Sequence, residues 1–299
     1  MMRCAVRVGV SILVAATLTL SACASNKEST GNPTGTTQAV TTAAGLTSLV
    51  PADLAKRGYL IVGIDPTYAP NEYKNSKGTI VGFDVELFNA VAAKLGLKTR
   101  YVASVFDNII PGITAPTPKY DIGVASFTDN RLREKTVDFV NYFSAGSQWA
   151  AKTGAKVDPA NACGLKVAVQ TGTVQDTDDL PARSKACTKA GKKPITNLRY
   201  ASQANATTAV ILGKAVAFVA DSPVTAYGVK TSAGKLALVG KIYDAAPYGY
   251  PMKKNSKLVP AVQKALQSLI TDGTYAKICG RWGDTAGAIK TATVNGAIS

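Results

Sequence analysis

There is no histidine anywhere in the 299 residues. That absence excludes His-based nucleophile triads, histidine general acids or bases and His metal sites, and no paired-carboxylate spacing takes their place. Acidic residues are scarce beside basic ones, 19 against 34, giving a formal charge of +15. The basic residues are dispersed, with no basic helix and no aromatic-basic repeat, so the charge does not point to nucleic acid. Outside the first 22 residues no apolar run reaches transmembrane length, and a sensor ectodomain would lack its spanning and signalling segments here. What is present is ordinary globular material, 46% hydrophobic and 18% charged, long enough for two domains.

Residues 1–22 read as a secretory signal. Arg3 and Arg7 form a basic start, and residues 8–20 are apolar but too short for a stable membrane span. Removing the two leader arginines takes the formal charge from +15 to +13, which suits solvation and proximity to anionic envelope polymers. The stretch Leu20-Ser21-Ala22-Cys23 resembles the lipobox of bacterial lipoproteins, which implies acylation of Cys23 and a lipid anchor in the outer face of the cell membrane. Residues 23–47, rich in Thr, Ser, Gly and Asn, read as a flexible tether with a reach of roughly 25–30 Å. Of the five cysteines, Cys4 belongs to the leader and Cys23 to the anchor. An exported chain permits disulfides. Cys163 and Cys187 flank one strand-helix unit, so they are expected to pair, closing a loop that stabilises by about 3 kcal/mol. Cys279 falls in a terminal helical pattern and reads as a buried thiol.

The globular part is organised around residues 59–95. The apolar run 60–64 lacks alternation, as in a strand buried on both faces of a parallel sheet, and stops at Asp65-Pro66. This sets Asp65, Tyr68 and Asn71 at a strand's carboxyl end, where open α/β sheets hold ligands. A helix follows from Asp84, with Phe88, Val91, Ala92 and Leu95 on one face and Gly96 ending it. Residues 98–103 and 120–125 read as further strands, and Phe106 at a strand exit is either core or a ligand-stacking wall. Ser126 and Thr128 read as N-cap hydroxyls of a helix bearing Arg131 and Arg133, either of which can fork onto a carboxylate. Residues 136–142 lead to a hinge-like crossing at 144–147, and the pattern then repeats. Strands are expected at 165–170, 194–200 and 215–220, a Ser202-capped helix between the last two, and a final strand at 236–243 before a second crossing near 245–250. Two terminal helices follow. Four strand exits thus carry polar clusters, at Asp65, Ser126, Thr171-Gly172-Thr173 and Asp221-Ser222, two in each half. Converging on one cleft, hydroxyls, helix N-termini and an Arg suit a carboxylate, and Asp221 suits an ammonium, so a small zwitterion fits.

Residues 82–95, GFDVELFNAVAAKL, and the closing DGTYAKICGRWG give a long ordered match, and the chain resembles the family 3 solute-binding proteins of ABC importers over residues 49–283. The resemblance implies an α/β, two-lobed periplasmic-binding-protein-like fold of type II joined by two hinge strands. The implied lobes are 48–143 with 246–299, and 144–245. It implies ligand contacts from Asp65, Tyr68 and Asn71, stacking by Phe106, a hydroxyl from Ser126, a carboxylate site from Thr173 with the amide of Val174 and Gln175, and an ammonium site at Asp221. The spacing around the arginines leaves Arg131 and Arg133 both open. Asn71 departs from the apolar residue usual at that point. Asp65, Tyr68 and Phe106 together favour a long cationic or polar side chain, such as that of lysine, arginine, ornithine, histidine or glutamine. The expected partners are one amino acid, a permease with its ATPase, and the membrane through the anchor, for a monomer without metal or cofactor. The alternative is an enzyme on the same scaffold, such as a cyclohexadienyl dehydratase, with Asp65 or Glu72 as its acid.

Overall fold

The computed structural model describes residues 45–298. The leader, Cys23 and nearly all of the tether lie outside the described residues. In chain order the elements are α1 (Ala52–Arg57), β1 (Tyr59–Ile64), β2 (Thr67–Tyr68), β3 (Glu72–Lys74), β4 (Ile80–Val81), α2 (Phe83–Lys94), β5 (Lys98–Ala103), α3 (Ile109–Thr114), β6 (Ile122–Gly123), α4 (Arg131–Glu134) and β7 (Val137–Lys152). Then come β8 (Lys166–Gln170), α5 (Leu180–Lys189), β9 (Thr196–Tyr200), α6 (Gln203–Ile211), β10 (Ala217–Asp221), α7 (Ser222–Thr231), β11 (Leu236–Lys253), α8 (Leu258–Thr271) and α9 (Thr274–Trp282).

One sheet carries both halves of the molecule, in the order β5-β1-β6-β11-β7-β10-β8-β9. The outer strands are parallel within each half: β1 pairs with β5 and β6, and β8 with β9 and β10. β1 and β8, flanked by strands on both sides, therefore read as apolar runs, with Leu60, Val62 and Ile64 fully buried and Val167, Ala168 and Val169 likewise, whereas the edge strands β5 and β9 are only partly buried. The two central strands, β7 of 16 residues and β11 of 18, are antiparallel and run through both halves. Their register slips between Val239 and Ala246, beside the two crossing points expected from the sequence. Each half has its own apolar filling. In the first, α2 sets Phe83, Leu87, Phe88 and Val91 against Val262, Leu266 and Leu269 of α8 and Ile278 of α9. The second packs Phe218 and Val210 on one face of the sheet and Trp149, Val167 and Leu180 on the other.

Cys163 and Cys187 are disulfide-bonded, holding the segment before β8 on α5. Cys279 is buried and free, its thiol pushed up to about 11 by burial. Two expectations need correction. The strand expected over 120–125 is only β6, because the chain leaves the sheet at Ser126, which turns at φ 49°. The helix that follows is capped by Asn130, whose side chain accepts from Arg133 N at 2.9 Å, and not by Ser126 or Thr128. The strand exit at Asp221-Ser222 leads straight into α7, since proline, here Pro223, is tolerated in a helix's first turn. Among the described residues, no helix is long and apolar enough to cross a membrane.

Candidate functional site

The loop after β1 is built by the helix that follows it. The first amides of α2 have no partner within the helix. Phe83 N donates to Pro70 O at 3.1 Å and Asp84 N to Asn71 O at 2.9 Å, so the helix N-terminus grips the loop backbone. Only glycine fits at 82, where φ is 142° and a β-carbon would lie 2.0 Å from Asn71 O. The gripped loop folds back as the β2–β3 hairpin, pairing Tyr68 directly with Glu72. Opposite residues of an antiparallel pair share a face, and both side chains enter one cavity between the sheet halves.

That cavity, about 10 Å³ and room for about one water, is lined from the first half by Asp65, Tyr68, Glu72, Phe106, Ser126, Thr128 and Arg133. The second half supplies Gln170, Thr173, Val174, Gln175 and Asp221. Four hydrogen bonds join the two walls. Tyr68 Oη donates to Asp221 Oδ2 at 2.9 Å and accepts from Asp221 N at 3.2 Å, Gln170 Nε2 donates to Asp65 Oδ2 at 2.5 Å, and Arg133 Nη2 to Gly172 O at 2.9 Å. Gln175 Nε2 reaches the other oxygen of Asp221 at 2.7 Å and Ser147 Oγ at 2.9 Å. The Thr173 hydroxyl is turned back onto Gln170 O at 2.9 Å.

The ionisable groups are unevenly matched. Arg133 is the cavity's one cation, facing three carboxylates, Asp65, Glu72 and Asp221, exposed by only 3%, 1% and 6%. Burial is the main cause of every shift. It pushes Asp65 up to about 6, against hydrogen bonds from Thr67 and Gln170. It raises Glu72 far above the usual carboxylate range, helped by the nearby charges of Asp84 and Asp65. Asp221 is raised too, its hydrogen bonds and Arg133 opposing the effect. The Arg133 guanidinium is lowered by burial to about 10 and so stays charged at neutral pH. Its Cζ lies 5.5 Å from the ring centroids of both Phe106 and Phe127, which stack on each other at 4.3 Å. Phe106 is therefore both core and wall.

Behind the wall, Ser126 is fixed by acids. Its amide donates to Asp84 Oδ2 at 2.9 Å, and its hydroxyl lies 3.2 Å from that oxygen and 3.3 Å from Glu72 Oε2. Tyr142 Oη donates to the same Asp84 oxygen at 2.5 Å, and burial pushes Asp84 up to about 6. Asp84, read from the sequence as a helix-start residue, thus orients the turn that presents Ser126.

Two expected ligand contacts lie elsewhere. Asn71 is buried behind Ser126, its Nδ2 donating to Ser126 Oγ at 2.8 Å, because hairpin register turns Glu72 to the cavity in its place. Arg131 is exposed and faces an adjoining groove of about 740 Å³ with Asp178, Asp179 and Asp244, which shares Thr128 and Val174 with the cavity. Two positions on a helix differ by about 200°, so only one of the two arginines can face the cavity. Glu72, Thr128 and Gln170 were not among the expected contacts. Reading residues 67–74 as a hairpin would have found Glu72, and the polar end of the buried strand KVAVQ marks Gln170.

A polar cavity shared by two sheet halves, joined by two strands that run through both, is the architecture of a two-lobed ligand-binding protein. The model of the bacterial extracellular solute-binding proteins, family 3, matches residues 60–285. The chain belongs to that family, and the relatives it matches are named as binding proteins, not enzymes. It is 42% identical to the arginine-binding protein ArgT of Corynebacterium glutamicum over 286 residues, covering 95% of this chain and 93% of that one. Among solved structures, an ancestral arginine-binding protein bound to arginine superposes with a TM-score of 0.68 at 34% identity, covering 76% of this chain and 98% of that one. The ancestral amino acid-binding protein AncCDT-1, a precursor of cyclohexadienyl dehydratase, does so at 0.66 and 32%, covering 77% and 97%.

Proposed function

We propose that this protein binds one cationic L-amino acid between its lobes and delivers it to the permease of an ABC importer. The observation that carries the reading is the charge balance of the cavity, one arginine against three buried carboxylates. A cationic amino acid brings the complement: one carboxylate for Arg133, one ammonium for Asp221, and a second cation for Asp65 and Glu72. Burial without a cation is what raises the carboxylates, and a bound cation reverses that. Phe106 supplies an apolar wall for the ligand's methylenes, and the names of the relatives support arginine as the first candidate.

The four bonds across the cavity are made by groups the ligand would use, so its entry requires the walls to part and those bonds to be exchanged. The lobes are taken as 48–143 with 246–299, and 144–245, moving about the crossings of β7 and β11. The reading extends to export with removal of residues 1–22, a lipid on Cys23, and residues 23–47 as the tether at the outer face of the membrane. Calorimetry on protein freed of ligand by unfolding and refolding tests the binding step. Saturable heat with arginine, lysine or ornithine is expected, and no response to any of them would sink the reading. Mass spectrometry of membrane-extracted protein tests the anchor, which predicts an acylated N-terminal Cys23.

A further inference from the structure

The helix that carries Arg133, α4, has four residues, far too few to be stable by itself. β11 and the residue after it support it, Asp129 N donating to Pro247 O at 2.8 Å and Lys254 Nζ to Glu134 O at 2.7 Å, and the tail after α9 adds a second support. Residues 287–297 lie along the edge of β7 in the first half, an edge that β10 occupies only from Ser147 onward. Ser144 N donates to Gly287 O at 2.9 Å, Asn141 N to Thr293 O at 2.9 Å, and Asn295 N to Phe139 O at 3.1 Å. Phe139 N returns a bond to Asn295 Oδ1 at 2.8 Å. At the end of this added segment, which bridges β7 at Val294, two successive amides turn onto α4. Gly296 N donates to Asp129 Oδ2 at 2.9 Å, and Ala297 N to Glu134 Oε1 at 3.1 Å. Asp129 immediately precedes the cap residue Asn130, and Glu134 ends the helix. The two carboxylates therefore bracket Arg133. Asp129 is fully buried and also accepts from Asn141 Nδ2 at 2.8 Å. A β-carbon on residue 296 would come 2.5 Å from Asn141 Oδ1, so the approach is close. These clip residues lie beyond the family match, which ends at 285.

We propose that residues 293–297 are positioning residues for Arg133, clipping both ends of its helix so that the guanidinium is held ready for the ligand's carboxylate. Amide bonds to carboxylates are among the stronger hydrogen bonds, and a pre-ordered arginine loses less side-chain freedom on binding. The clip is geometry in this chain; its effect on binding rests on the reading of Arg133 as the carboxylate partner.

The test compares the intact protein with a chain lacking residues 293–299 and with Ala297→Pro, which removes only the amide to Glu134. Hydrogen exchange of residues 127–136 is followed, together with affinities for arginine and for agmatine, the same guanidinium without a carboxylate. The expected result is exchange at least about tenfold faster over 127–136 and arginine binding weakened about tenfold, with agmatine binding changed less than about twofold. Unchanged exchange in both variants, or equal weakening of the two ligands, would overturn the proposal. If the intact protein does not prefer arginine to agmatine, the carboxylate reading of Arg133 fails instead. Exchange then decides alone, faster exchange upholding the clip and unchanged exchange rejecting it. Should the shortened chain fail to fold, Ala297→Pro gives the same readouts.

Discussion

The two walls of the cavity are built differently. The first half contributes charge: Asp65, Glu72 and Arg133, each carried on a short loop, hairpin or helical turn and fixed by residues behind it. The second half contributes strand ends and amides, Gln170, Thr173, Val174 and Gln175, with Asp221 its one ionisable group in the cavity. The difference suggests a division of labour in which the first wall chooses the side chain and takes the carboxylate, while the second holds the ammonium common to every amino acid. Substitutions in the second wall should then weaken all ligands alike, and those at Asp65 and Glu72 should change which ligand is preferred.

The largest effect is expected at Asp221. Its removal leaves a bound ammonium without a counter-charge, and Asp221→Ala should weaken every amino acid by about 3 kcal/mol, roughly two orders of magnitude by calorimetry. A loss confined to arginine would break the comparison. Next is Asp65→Asn. It should weaken arginine by about 1.5–3 kcal/mol while leaving glutamine within about twofold. The same substitution should stabilise the ligand-free protein. Asp65 is raised to about 6, so the unfolded chain loses its proton at lower pH than the native chain does. Stability is accordingly lost as pH rises from about 4 to 6, and an amide at 65 removes that loss, by order 1–3 kcal/mol at pH 7. Thermal melts of the two proteins at pH 7 check the sign.

The elements legible in the sequence were those with a continuous run or period of their own. β1 and α2 fall within a residue of their expected limits, because apolar periodicity follows from which faces are covered, and the partly exposed edge strand β5 has the expected limits as well. Ser202 caps α6 as expected, its side chain accepting from Asn205 N. The site was legible as a set of strand exits and illegible in its details. Asn71 and Glu72 are adjacent, and hairpin register alone decides which of them enters the cavity. Arg131 and Arg133 were left open by spacing and differ only in helix phase. The tail along β7 carries no pattern of its own, since Gly, Ala and Thr pack there through backbone bonds to a neighbour distant in the chain.

A smaller effect sharpens the comparison by pH. A cationic side chain needs ionised carboxylates, so arginine affinity should fall as pH drops through about 6, by roughly tenfold between pH 7 and 5, as Asp65 takes up its proton. Glutamine, without a side-chain charge, should show a flatter profile over the same range. The smallest change is expected from Gln175→Ala, which removes one neutral donor to Asp221. It should cost all ligands alike about 1 kcal/mol, a few-fold in Kd.

Above all, the first wall should select a positive charge. Calorimetry on refolded, ligand-free protein at pH 7 with arginine and with citrulline, its uncharged near-isostere, addresses it most directly. Arginine should bind at micromolar Kd or tighter, and citrulline more weakly by at least about tenfold. Equal binding of the two, or a preference for citrulline, would contradict it.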